Sequence, residues 1–344
     1  MLRYILKRIL QFIPVFLGVT LILFIMQNVV PGDPIKLIAG EKKMDPQTEM
    51  NIRAAHGLIV TDENGNIVFD EDGNTIETPM VDRYFNYLGN LLQGDLGTSY
   101  QKGRAVKDMI FEAYPHTVQI ALVAIVIEAF VGIGAGIISA IKRYSFWDIL
   151  VTLTTSMLVA MPAFWLGLLL QLIFGIWLKN ATGGAVALPV SGVPGPFPQF
   201  PALTYYILPA VTLAAVSTAY TARIMRSQLV EVMNQDYIRT AKAKGLSKRS
   251  IIFHHALKNA LIPVVTYIGM DFGAMLAGAI LTETVFNWPG IGQMTYVAIT
   301  QRDWPIVMGS VTVIVFVVMI INLIVDVSYA FLDPRIRLGS KSDK

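Results

Sequence analysis

Runs of apolar residues recur six times along the chain, at about 9–30, 118–141, 149–178, 205–222, 261–281 and 306–332. A helix needs roughly 20 mostly apolar residues to cross about 30 Å of hydrocarbon. All six runs approach that length, 205–222 being the weakest. Backbone in lipid must satisfy its own polar groups, and the alternating pattern of barrel strands is missing, so the runs predict helices. The fold class that follows is an all-α membrane protein with six transmembrane helices. Lys7 and Arg8, ahead of the first run, resemble the charged start of a signal peptide. The run exceeds the usual core of about 7–15 residues and no small-x-small cleavage site follows, so it reads as a retained helix.

The polar stretches between the runs differ in kind. Residues 31–115 form an external loop region too long for a plain connector, and it predicts a small α+β region. Residues 45–56 have helical composition, with Pro46 suited to a first turn. Within 59–78, β-prone runs flank Glu63-Asn64-Gly65-Asn66, and Asp72-Gly73 follows. Such Gly pairs mark hairpins, so an inserted hairpin is expected there, against the alternative of an exposed loop. Residues 81–92 read as an amphipathic helix ended by Gly94. The loop 182–201 holds several Gly and Pro residues and predicts no long helix. In 223–259, Leu229, Val232, Met233, Tyr237 and Ile238 recur at helical spacing. Gly245 breaks that pattern, and Ser247 suits the cap of a second helix. This basic segment fits either lipid headgroups or a partner protein at the membrane face.

Composition and charge give the orientation. The chain is 54% hydrophobic and 15% charged, against about 25% charged in soluble domains. It has no cysteine, which excludes disulfides and thiolate chemistry. Its net charge of +3 points away from nucleic acid. Seventeen of the 27 basic residues share one side: Arg3, Lys7, Arg8, Lys142, Arg143, eight between Arg223 and Lys258, and Arg335, Arg337, Lys341 and Lys344. The two shorter loops opposite carry Lys179 and Arg302. Basic short loops stay inside, so both termini are expected in the cytoplasm. The expected division is 1–30 (cytoplasmic start and first span), 31–115 (external region with the 59–78 insertion), 116–335 (five-helix core with cytoplasmic loop 223–260) and 336–344 (cytoplasmic tail).

Enzyme chemistry finds no carrier. There is no P-loop and no Gly-Lys dipeptide, so no nucleotide hydrolysis is expected in this chain. No zincin or nucleophile-elbow motif is present. His254 and His255 would point about 100° apart on a helix, which suits surface residues better than metal ligands; no metal is expected. Charges inside spans are costly and mark pathways or helix contacts. Glu128, Asp271 and Asp326 are the candidates, either for a helix or subunit contact or for lining a solute path. Proton coupling would need partners that the sequence does not pair. Gly132-x-x-x-Gly136 and Gly269-x-x-x-Gly273 have the spacing of closely packed helices, internal or between subunits.

At the cytoplasmic loop a family resemblance emerges. Asp236-Tyr-Ile-Arg-Thr-Ala-Lys-Ala-Lys-Gly245-Leu-Ser, with His255-Ala-Leu-Lys-Asn-Ala-Leu-Ile-Pro263, resembles the loop of bacterial ABC importer permeases for dipeptides and oligopeptides. Pro31-Gly-Asp-Pro34, Gly94-Asp-Leu-Gly-Thr-Ser99, Glu283-Thr-Val-Phe-Asn-Trp-Pro-Gly-Ile-Gly292 and the stretch from Asp326 to Arg337 agree. The chain is similar to the first permease of such pairs, the one with a long outer loop. It departs from the generic loop in two places. Arg239, Thr240 and Ala241 replace Glu-Ala-Ala, removing an acidic contact, and Lys258 stands for the proline. The 59–78 insertion is its own.

The resemblance implies a second homologous permease, two ABC ATPase subunits that bind ATP and Mg, and an extracytoplasmic substrate-binding protein, in a bacterial cytoplasmic membrane. No cofactor is implied in this chain. Coupling to an ATPase would fall on Arg239, Thr240, Ala241, Lys242, Ala243, Lys244, Gly245, Leu246 and Ser247. Transport would be alternating access. Two alternatives stand beside it: a similar importer of nickel, glutathione or sugar, which nothing in the sequence separates from a peptide importer, and a stand-alone secondary transporter, which a requirement for ATP and partner ATPases would discriminate. The latter would need matched inverted repeats with broken helices, and none is visible.

Overall fold

The computed structural model describes residues 2–29, 45–55, 57–62, 65–195 and 199–332. Pro31-Gly-Asp-Pro34, His56, Glu63, Asn64 and the basic tail from Arg335 lie outside them. Twelve helices are named in chain order. They are α1 (Leu2–Val29), α2 (Pro46–Ala55), α3 (Met80–Leu92), α4 (Val106–Ile141), α5 (Phe146–Ala160), α6 (Ala163–Ala181), α7 (Ala202–Val232), α8 (Asp236–Ala243), α9 (Lys248–Leu276), α10 (Ile280–Val285), α11 (Ile291–Thr300) and α12 (Trp304–Leu332). Six of them, α1, α4, α6, α7, α9 and α12, are long and apolar enough to cross a membrane.

Three sequence expectations shift. The run 149–178 is not one helix: α5 stops at Ala160, and Met161 and Pro162 are extended before α6 begins. Proline disfavours helix in the residue before it and has no N–H for the ladder, so the run divides there. The fifth helix starts at Lys248, well before 261, and stops at Leu276. Gly278, at φ +99°, ends it ahead of the short α10. The second helix starts at Val106 rather than 118. Its first turns carry Lys107, Asp108 and Glu112, while Val106, Met109, Ile110 and Ala113 are buried. That is an amphipathic entry into an apolar span.

The chain divides into two compact units. The smaller holds 10–112 and 294–313. In it α3 packs along α1. Thr20 and Tyr84 share a hydroxyl contact of 3.1 Å, and the Tyr84 hydroxyl donates to Leu17 O at 3.2 Å. The Phe24 ring lies 5.3 Å from that of Tyr84. The 59–78 segment folds as short antiparallel bridges, Ile59–Glu77, Thr61–Ile67 and Phe69–Thr75, rather than long strands. Each turn closes on an aspartate and a left-handed glycine. The Asp70 carboxylate accepts from Asn74 N at 2.7 Å, and Gly73 sits at φ +82°. The loop after Gly94 is tied to Asp303, which is buried. Asp303 accepts from the Ser99 hydroxyl at 2.5 Å and from the Tyr100 and Gln101 amides at 3.1 and 3.2 Å. Burial, then the Asp303 charge, pushes the Tyr100 phenol up to about 12.

The larger unit holds 1–9, 113–293 and 314–344. One apolar cluster joins Ile120, Ala124, Ala210, Ala214, Met275 and Trp288. A second joins Met225, Leu229, Ile238, Ala241, Ile251 and Ala260. The small-residue faces are internal contacts. A Cβ on Gly136 would stand 2.5 Å from that of Met225 on α7, and one on Gly269 would stand 2.9 Å from Val325 on α12. Backbones this close need glycine on one side.

Candidate functional site

The loop between α7 and α9 is a short, firmly seated helix with one open face. α7 ends at Val232 and a tight turn leads into α8. Ile238 and Ala241 are buried in the second cluster, against Met225, Leu229, Ile251 and Ala256. Tyr237 adds a tie, its hydroxyl accepting from Asn259 Nδ2 at 2.8 Å. Everything else in the candidate stretch is exposed: Arg239, Thr240, Lys242, Ala243, Lys244, Gly245, Leu246 and Ser247. Ala241 is therefore an anchor, and its neighbours form the surface.

The break after α8 has a backbone cause. Gly245 sits at φ +75°, and its amide donates to Lys242 O at 3.0 Å. Leu246 N donates to Ala241 O at 3.3 Å. This is a left-handed glycine ending a helix. No atom lies within 4 Å of where a Cβ would be, so a side chain there is opposed by conformation and not by crowding. The Ser247 hydroxyl then accepts from Ser250 N at 3.3 Å, capping the start of α9. Next to this surface, Ala140, Arg143, Leu229, Met233, Lys248 and Ile252 line a cleft of about 230 Å³.

α7 is locked to its neighbours by a network absent from the sequence expectations. Arg226 donates through Nε and Nη2 to the two oxygens of Asp148, at 2.8 and 2.9 Å. The Ser139 hydroxyl donates to Asp148 as well, and the Tyr144 amide does so at 2.8 Å. The hydrogen bonds from Arg226 hold the Asp148 carboxyl well below the usual carboxylate range, against the opposing pull of burial. The network joins α4, α5 and α7 just above the loop. Its only signal in sequence is an acid at the start of an apolar run.

The three intramembrane acids do not form one group. Asp326 pairs with Arg8, Oδ2 to Nη2 at 3.2 Å, where both are part exposed. Glu128 and Asp271 come together instead. Glu128 is fully buried, opens the π-helical turn Glu128–Gly132, and accepts from the Thr221 hydroxyl at 2.7 Å. Asp271 is within hydrogen-bonding reach of it. Sequence alone does not pair them, because they sit on helices far apart in the chain.

The Glu283–Gly292 motif folds around its own carboxylate. Glu283 is fully buried. It accepts from the Thr117 hydroxyl at 2.8 Å and the Gln293 amide at 2.8 Å. A Cβ on Gly290 or Gly292 would stand 2.5 or 2.9 Å from that carboxyl. Trp288 is buried and donates from Nε1 to His116 O at 2.9 Å. Burial pushes the Glu283 carboxyl up. His254 and His255 are exposed, and among the described residues no group of three metal-ligating side chains assembles.

Comparison with known proteins places this geometry. Residues 132–338 match the model of the binding-protein-dependent transport system inner membrane component, and 1–121 match its N-terminal companion. The di/tripeptide transport system permease protein DppB of Pseudomonas aeruginosa is 37% identical, over 98% of this chain and 99% of that one. The dipeptide transport system permease protein DppB of Escherichia coli K12 is 34% identical over the same shares. The MetNI methionine ABC transporter, solved in inward-facing conformations, is similar in fold, at a TM-score of 0.50 and 15% identity over 65% of this chain and 96% of that one. The chain, multi-pass and helical with its loop motif held on a seated helix, belongs to the binding-protein-dependent transport system inner membrane components, the permeases of ABC transporters.

Proposed function

We propose that this chain is one of two permeases in an ATP-driven importer of di- and oligopeptides. The observation that carries the coupling role is the build of α8: Ile238 and Ala241 are buried in the bundle while the basic stretch around them is exposed. A helix seated this way transmits a push to α7 and α9 instead of absorbing it. One of two ATPase subunits, which bind ATP and Mg, would hold the exposed face from Arg239 to Ser247 in a groove. Their closure would rock the bundle between inward-facing and outward-facing states, a two-state switch biased by nucleotide. A second permease would complete the solute path, and an extracytoplasmic binding protein would deliver solute to the outer region that contains the 59–78 hairpins. Both termini lie in the cytoplasm on this reading. The peptide class is supported by the names of the relatives, which are dipeptide and oligopeptide permeases.

The test is uptake of a labelled dipeptide into lipid vesicles carrying the complete importer. Uptake is expected only with ATP and binding protein together. Uptake without ATPase subunits, driven by an ion gradient, would overturn the reading in favour of a secondary transporter.

A further inference from the structure

Resting on the peptide reading, the buried acids allow one further step. Glu128 Oε1 is satisfied by Thr221, but Glu128 Oε2 and Asp271 Oδ2 are buried and have no partner outside the pair. Among the described residues neither acid stands in an ion pair. Two carboxyls at membrane depth with no positive group between them are costly.

Two more observations point to a cation. Tyr267 lies beside both acids, and its ring centroid is 6.4 Å from that of Tyr220; aromatic faces attract ammonium groups. Asp271 itself is part exposed, and Tyr220, which faces Tyr267, is 41% exposed, so the Asp271 side of the pair opens to the surface of the chain. The π-helical turn that begins at Glu128 is a distortion that recurs at functional sites.

We propose that Glu128 and Asp271 form a transient site for the terminal ammonium of the peptide as it passes through the membrane. The pair holds one positive group, with Glu128 fixed by Thr221 and Asp271 at the mouth. Neither acid then needs a permanent partner, because the solute supplies it.

The experiment uses the whole importer in lipid vesicles. Binding protein is loaded to saturation with a dipeptide, or with the analogue in which methyl replaces the ammonium. Wild type is expected to move the dipeptide at least tenfold faster per loaded binding protein. Glu128→Gln and Asp271→Asn are each expected to cut dipeptide uptake at least tenfold and to leave the analogue within twofold. Equal wild-type rates for the two solutes would overturn the proposal. So would an equal loss for both, which marks a structural contact or a site for a partner lysine. Unchanged dipeptide uptake would leave a carboxyl pair that shares a proton only. Asp271→Lys tests the pair without solute, by tethering an ammonium beside Glu128. The purified complex is expected to melt no lower than Asp271→Asn, and a lower melting temperature counts against the site. If wild type moves neither solute while Asp271→Lys stays stable, the peptide reading fails and the cation site stands.

Discussion

Gly245 is where the coupling account is most exposed to test. Its φ of +75° lies in the left-handed region, which costs an L-residue roughly 1–2 kcal/mol. At about 1.4 kcal/mol per tenfold, a side chain there depopulates the turn by about five- to thirtyfold against any competing loop. Space is not at issue, since a Cβ would meet nothing within 4 Å. Gly245→Ala should therefore lower ATP-driven uptake several-fold, and Gly245→Asn less, because asparagine tolerates this region better. Gly245→Pro is of another order. Proline locks φ near −65° and deletes the amide that donates to Lys242 O at 3.0 Å. Uptake should vanish, together with the stimulation of ATP hydrolysis by loaded binding protein, while the solute affinity of the binding protein is unchanged. The expected order is Gly, Asn, Ala, Pro. Uptake of Gly245→Pro within twofold of wild type would refute the reasoning. An alanine variant as inactive as the proline one would show that contact, not backbone conformation, governs the position.

Asp148→Asn weakens the Arg226 network, and with Arg226 partly exposed the cost should be about 1–3 kcal/mol, read as a lower melting temperature in detergent. The same carboxyl sets a pH dependence: its depressed pKa makes the stabilisation complete above the ordinary aspartate range and lost as pH falls through the lower folded value. Acid titration should thus destabilise wild type but leave Asp148→Asn flatter. Gly292→Ala forces a Cβ to 2.9 Å from the Glu283 carboxyl and should reduce the folded yield, whereas Gly134→Ala, with nothing within 4 Å, should not; fluorescence size-exclusion profiles decide. Removing 59–78 should weaken capture of the binding protein by the complex without unfolding the bundle, and unchanged affinity and transport would make the hairpins dispensable.

Much of this architecture is readable in the sequence because lipid imposes a simple rule on composition. The rule fails where a helix is half polar. The entry of α4 hides behind Lys107, Asp108 and Glu112, and that of α9 behind His254, His255 and Lys258, although Ile251, Ile252, Ala256 and Ala260 are buried beneath. It also misses the break at Met161 and Pro162, where hydropathy continues but the helix does not. The break and restart of helix between α8 and α9 are readable down to Gly245 and the Ser247 cap, since both act on nearby backbone. Pairings are not. Asp148 with Arg226, Glu283 with Thr117, and Glu128 with Asp271 join residues from different helices, and only tertiary packing brings them together.

The most direct measurement is the composition of the complex that holds this chain in its native membrane, extracted in mild detergent and identified by mass spectrometry. The account predicts a second, homologous permease and two ABC ATPase subunits, with the binding protein retained when nucleotide is trapped. Recovery of this chain alone, under conditions that keep a known ABC transporter intact, would contradict it.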